Sequence, residues 1–130
     1  MRKTILAILS LVAMTSCEQA PEDLLVGRWE LTKLAITADG LNIESSAAEA
    51  DVAMTYTFKA DGSYSLLAIY AGEEESEMGA YVYDETSQAI ICSYDDYTYS
   101  TDVTSISKTE LVLTLSIEGL ISSTMYFVRK

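Results

Sequence analysis

Histidine is absent from this chain of 130 residues. The commonest general base and the commonest metal ligand are therefore missing. Hydrolases built on Ser-His-Asp are excluded, and so are zinc sites that need imidazole. Basic residues are few, 8 against 20 acids, for a formal net charge of −12. A nucleic-acid backbone would be repelled, and no basic stripe offsets that. Proline occurs once, at Pro21, and cysteine only at Cys17 and Cys92. No Gly-rich phosphate loop, metal cluster or nucleophile motif is present. No cofactor and no metal are expected, and catalysis is disfavoured. Acids are plentiful, but Asp95 and Asp96 are adjacent, and on an extended strand they face opposite ways.

What is present begins with a leader. Arg2 and Lys3 precede a mostly apolar run over 5–14, and small residues lead into Cys17. The run is shorter than the roughly 20 residues a spanning helix needs. Its length and positive start predict a secretory signal peptide over 1–16. Met14-Thr15-Ser16-Cys17 resembles a bacterial lipobox, with methionine where leucine is commonest. That resemblance implies a diacylglyceryl group on the Cys17 sulfur and cleavage just before it. One acyl chain holds a protein marginally, at about 0.8 kcal/mol per buried methylene, whereas two or three on one cysteine hold it firmly. The alternative is a plain secreted protein with a chance cysteine. Residues 17–23 read as the acylated cysteine and a polar tether. Acids in such a tether resemble surface-export signals of some Bacteroidetes lipoproteins, and they also serve as simple soluble spacers. Both faces of the outer membrane therefore stay open as destinations.

Loss of the leader removes Arg2 and Lys3 and no acid, so the mature body is more acidic still. Anionic headgroups repel such a body, which leaves membrane attachment to the lipid on Cys17. With Cys17 acylated, Cys92 has no disulfide partner. It lies in the apolar stretch Ala89-Ile90-Ile91-Cys92, where a buried, inert thiol is favoured over a reactive one.

Past residue 26 the chain reads as β-branched and aromatic runs parted by turn signals. Eight strands are predicted, over 27–36, 52–59, 63–70, 79–84, 88–94, 102–107, 110–117 and 122–129. Asp61-Gly62 marks a tight hairpin, because both residues tolerate positive φ. Alternation assigns the faces. Leu111, Leu113, Leu115 and Ile117 share one side of a strand, as do Met54, Tyr56 and Phe58; in 63–70, Tyr64, Leu66, Ala68 and Tyr70 share one side while Leu67 and Ile69 make the other apolar too, so either face could turn inward. One apolar face per strand and short connections predict an all-β fold. Eight strands in one small domain, 24–130, favour a closed up-and-down antiparallel barrel, since closure removes exposed edges.

Two connections stand out. Residues 37–51 form a long first loop with a short helical turn after Ser45, a candidate lid. Residues 71–77 carry Glu73, Glu74, Glu75 and Glu77. They read as a solvated acidic tip in preference to a calcium loop, lacking EF-hand spacing.

Leu25-Val26-Gly27-Arg28-Trp29, then Phe58-Lys59-Ala60-Asp61-Gly62-Ser63-Tyr64, then Gly79-Ala80-Tyr81, then Glu110-Leu111-Val112-Leu113 follow one another in order. This series resembles the lipocalin-like lipoproteins of Bacteroidetes, over roughly residues 24 to 130. The resemblance implies a lipocalin-like barrel in which Trp29, beside Gly27, closes one end and Arg129 packs across it. A cation over an indole face contributes about 0.5–2 kcal/mol. The later short lipocalin motifs and the paired cysteines of many secreted lipocalins are absent.

Two functions follow as expectations. In the first, the barrel mouth takes a small apolar or amphipathic molecule, with Tyr56, Phe58, Tyr64, Leu66, Tyr81, Tyr83, Leu113 and Phe127 as candidate liners. Tyrosine supplies an apolar body and a hydroxyl handle, although each of these residues also suits plain core packing. In the second, the barrel is filled and the protein is a structural or protein-interaction lipoprotein. Tyr94, Tyr97 and Tyr99 would then form its contact loop. A monomer is expected, and no protein partner can be named.

Overall fold

The structure is a computed structural model and describes residues 20–117 and 121–130. The leader, Cys17 with the lipobox-like residues before it, and residues 118–120 lie outside the described residues.

Pro21–Leu25 form a short helix, α1, with Pro21 in the first turn beside Glu22 and Asp23. Proline presets the φ of a first turn, and acids suit its positive end. Leu25 is fully buried. Ordered structure therefore reaches back before residue 24, into part of the expected tether, because Leu25 belongs to the core.

Nine strands follow: β1 (Gly27–Ala38), β2 (Leu41–Ser46), β3 (Val52–Phe58), β4 (Ser63–Tyr70), β5 (Glu73–Asp84), β6 (Ala89–Tyr94), β7 (Tyr97–Ile106), β8 (Glu110–Ile117) and β9 (Ile121–Arg129). Each neighbouring pair is antiparallel, and β9 returns to pair with β1. The fold is a closed eight-stranded up-and-down barrel with one extra strand, β2. The closing seam runs from Ile121 opposite Ala38 to Arg129 opposite Trp29, with a bulge where Tyr126 meets Lys33 and Phe127 meets Leu31. The skipped residue, Thr32, re-aims β1, so Trp29 and Leu31 are buried in one half while Leu34 and Ile36 line the cavity in the other.

The expected long first loop is corrected. Asp39 and Gly40 both take positive φ and make a two-residue hairpin from β1 into β2. β2 is missed by an inward-facing pattern because it has no buried face: Leu41 and Ile43 are 68% and 66% exposed. The helical turn does form beyond it. Ser46 and Glu49 cap each other, N–H to side chain in both directions at 3.1 Å, the reciprocal arrangement of a capping box.

The acidic tip is corrected as well. Ala71 and Gly72 alone make that turn, and Glu73, Glu74, Glu75 and Glu77 lie in β5, paired with β4. Likewise Tyr94 and Tyr97 are opposite one another across a two-residue turn, so 94–99 is a hairpin, not a loop. At 73–77 the ladder hydrogen bonds outweigh an acidic composition that disfavours strands, whereas Tyr97, Thr98 and Tyr99 suit the strand they join.

β2 has a topological effect. β1 pairs with β3 only from Gly27 to Glu30, and with β2 from Lys33 to Ala38. The upper parts of β1 and β3 are therefore not paired with each other, and the barrel is splayed at that end. At the other end, Leu25, Trp29, Phe58, Leu111, Leu113 and Phe127 fill it.

Candidate functional site

The filled end is built around Trp29, which is 0% exposed. Its Nε1–H donates to the Leu25 carbonyl at 2.9 Å, so α1 is tied to β1. The Arg129 guanidinium lies 4.3 Å from the indole centre. It also donates from Nε to the Lys108 carbonyl at 2.6 Å, from Nη1 to Val26 at 2.8 Å, and from Nη2 to Leu24. One planar fork thus gathers α1, the β7–β8 turn and the end of β9. Gly27 makes room for it: a Cβ there would strike Nη1, and φ is +142°, outside the range of L side chains. Tyr81 adds a further tie, its hydroxyl donating to the Lys59 carbonyl at 2.9 Å.

Stacked rings, among them the plug's own Phe58 and Phe127, form its upper layer. Tyr56 stacks on Phe58 at 5.1 Å and meets Phe127 edge-on at 5.8 Å. Phe58 in turn takes Tyr81 edge-on at 4.9 Å.

Over that layer, at the splayed end, a cavity of about 600 Å³ opens. Its walls include Leu34, Val52, Met54, Leu66, Leu115 and Met125, with Ile36, Tyr70 and Ile121 at the rim and partly exposed. The volume lies within the range of small-molecule sites. A smaller cleft of about 350 Å³, lined by Leu66, Ala68, Tyr70, Glu75, Ser76, Glu77 and Tyr94, adjoins it.

One flank of the cavity is polar. The Tyr64 and Tyr99 hydroxyls each donate to Oε2 of Glu77 at 2.6 Å. Tyr56 and Tyr99 share a further hydroxyl contact at 3.0 Å. Since Tyr99 gives its proton to Glu77, Tyr56 is the donor in that pair. Burial pushes the Tyr56, Tyr64 and Tyr99 phenols well above their usual range, and at Tyr99 and Tyr64 the neighbouring groups add to it. The phenols stay neutral and stay donors. Burial likewise pushes the Cys92 thiol up to about 11, which makes it inert at neutral pH.

Of the eight candidate liners, Tyr56 and Leu66 are on the cavity wall. Phe58, Leu113 and Phe127 are 1% exposed and lie below it, in the plug. Tyr64 is beneath the wall and reaches it through Glu77. Tyr81 and Tyr83 face clefts at the opposite end, beside Glu22 of α1. Those six lie on inward faces, but at heights along their strands away from the cavity wall. Alternation resolves in from out and is blind to height along the barrel axis. Met54, Leu115 and Tyr70 were legible as inward-facing residues of the same runs. Glu77 and Tyr99 carried no such signal, since both lie in segments that read as loops.

The sequence matches the family model described as "Lipocalin-like domain" over residues 25–113, more than half of the chain. No curated protein matches it. Among solved structures, a lipocalin-like protein from Bacteroides uniformis is similar, with a TM-score of 0.57 and 19% identity over 82% of this chain and 99% of that one. A deswapped triple mutant of bovine odorant-binding protein aligns with a TM-score of 0.49 and 14% identity, over 82% of this chain and 74% of that one. On the family match, with the closed barrel and its extra strand beside it, this chain belongs to the lipocalin-like domain family.

Proposed function

We propose that this protein is a lipid-anchored lipoprotein of the bacterial cell envelope whose barrel binds one small hydrophobic or amphipathic molecule. The cavity of about 600 Å³ carries this reading. A barrel that served only as scaffold would fill both ends with side chains, as this one fills the end around Trp29. The wall mixes apolar side chains with hydroxyls and one carboxylate, which suits a ligand with an apolar body and a polar end.

Binding is tested with a neutral apolar fluorophore, phenylnaphthylamine. One molecule per chain is expected to bind with a rise in emission. Leu66→Trp, which projects a larger ring from the wall into the cavity, is expected to weaken binding about ten-fold or more. No emission change with the native protein, or equal binding by the variant, would discard the cavity as the site.

Anchoring rests on the leader and on Met14-Thr15-Ser16-Cys17. In a bacterial host, the full chain is expected to incorporate labelled palmitate and to sediment with membranes, and Cys17→Ser to do neither. Export of the native chain as unlabelled, soluble protein would leave the plain secreted alternative standing. Either face of the outer membrane is compatible with this proposal.

A further inference from the structure

The chemistry of the cavity flank narrows the ligand further, on the premise that the cavity is the binding site. Glu77 projects into an otherwise mostly apolar chamber. Both phenol donors go to Oε2, and Oε1 accepts no hydrogen bond among the described residues. Glu77 also forms no ion pair among them: the two salt bridges there are Lys33 with Glu44 and Lys130 with Glu30. None of the residues lining the cavity or its adjoining cleft is basic, and the cleft adds Glu75.

The aromatic setting matches the charge. Tyr56, Tyr70 and Tyr99 line the cavity, and Tyr94 lines the cleft and meets Tyr99 edge-on at 6.2 Å. Phenol faces attract cations. The neutral phenols hold Glu77 in place by hydrogen bonds, so a bound group need not order it. An anionic head would meet Glu77 and Glu75 with no counter-charge, and the formal net charge of −12 works against its approach.

We infer that the cavity selects a hydrophobic amine: an apolar body against Leu34, Met54, Leu115 and Met125, and a protonated nitrogen at Glu77 Oε1. Fatty acids and other apolar carboxylates are selected against by the same groups. The preference arises from one carboxylate in an apolar surround, where a charge-assisted hydrogen bond counts for more than it does in water.

A series with one apolar body and three heads tests this. Calorimetric titrations with decylamine, decanol and decanoate are run at neutral pH. Decylamine is expected to bind about ten-fold or more tightly than decanol, and decanoate more weakly than either. In Glu77→Gln, which keeps the side-chain shape, the amine-to-alcohol ratio is expected to collapse toward one. Equal binding of the three heads, or tightest binding of decanoate, overturns the amine preference and leaves the cavity reading intact. So does a ratio unchanged in Glu77→Gln. Failure of all three native titrations overturns the amine preference and the cavity reading together.

Discussion

Trp29→Ala is expected to lower the stability of the barrel by about 3–5 kcal/mol, the range for removing a buried aromatic. Small domains are stable by only about 5–15 kcal/mol in total, so this one side chain is a large share. Trp29 is fully buried, its Nε1–H holds α1, and its ring supports the Arg129 guanidinium. Its loss leaves a cavity under a charged group and frees the Leu25 carbonyl from its donor. Urea unfolding followed by circular dichroism reads the change.

The partner variant is Arg129→Ala. It orphans the carbonyls of Leu24, Val26 and Lys108 at once. The two changes are expected to be less than additive, with a coupling of about 0.5–3 kcal/mol in a double-mutant cycle. Additivity of the pair would show that the indole and the guanidinium act independently, despite their 4.3 Å spacing. Arg129→Lys is expected to recover little, because an ammonium cannot reach three carbonyls in one plane.

Alkali is expected to unfold the protein. The Cys92 thiol moves from 9.0 to about 11 on folding. Between those values the unfolded chain releases its proton first, so the folded state binds more protons and stability falls as pH rises. The contribution is fully present below pH 9 and is gone above about 11. Two units at 1.36 kcal/mol each correspond to a loss of about 2–3 kcal/mol from this thiol alone. The Tyr56, Tyr64 and Tyr99 phenols are shifted in the same direction, and they extend the loss above 10. Urea midpoints measured from neutral pH to 11 are expected to drop steadily beyond 9. Cys92→Ala is expected to flatten the first part of that decline. A midpoint constant through 11 would mean that these groups titrate as freely folded as unfolded.

Much of the barrel could be read from residue order. Period-two alternation in 52–58, 63–70 and 110–117 placed Met54, Tyr56 and Phe58, and Leu111 and Leu113, on the inner face. Asp61-Gly62 is at a strand reversal: Gly62 has φ +91°, and Asp61 accepts from the Ser63 N–H at 2.9 Å. The same dipeptide at Asp39-Gly40 gives no hairpin signal by periodicity, because Leu41 and Ile43 look like a strand only if a strand is allowed no inner face. β2 earns its place through main-chain bonds to Lys33–Ala38, which side-chain periodicity cannot report.

The cavity was less legible, and for a different reason. Its polar centre depends on three strands meeting at one carboxylate: Tyr64 from β4, Glu77 from β5 and Tyr99 from β7. In sequence these are spread over 64–99, and two of them sit among acids and hydroxyls that suggest water on every side. Register decides which carboxylate points inward. Glu77 shares its face with Tyr81 and Tyr83, both buried, while Glu74 and Ser76 do not. Shifting β5 by one residue would present Ser76 or Met78 to the chamber and turn the carboxylate outward.

The position of α1 has an orientational outcome. The helix caps the plugged end, so the polypeptide enters the barrel at the pole opposite the open chamber. Anything that held this protein by its leading residues would leave the aperture looking away from the holdfast. Cargo could then be collected or surrendered without the supporting surface standing in its path.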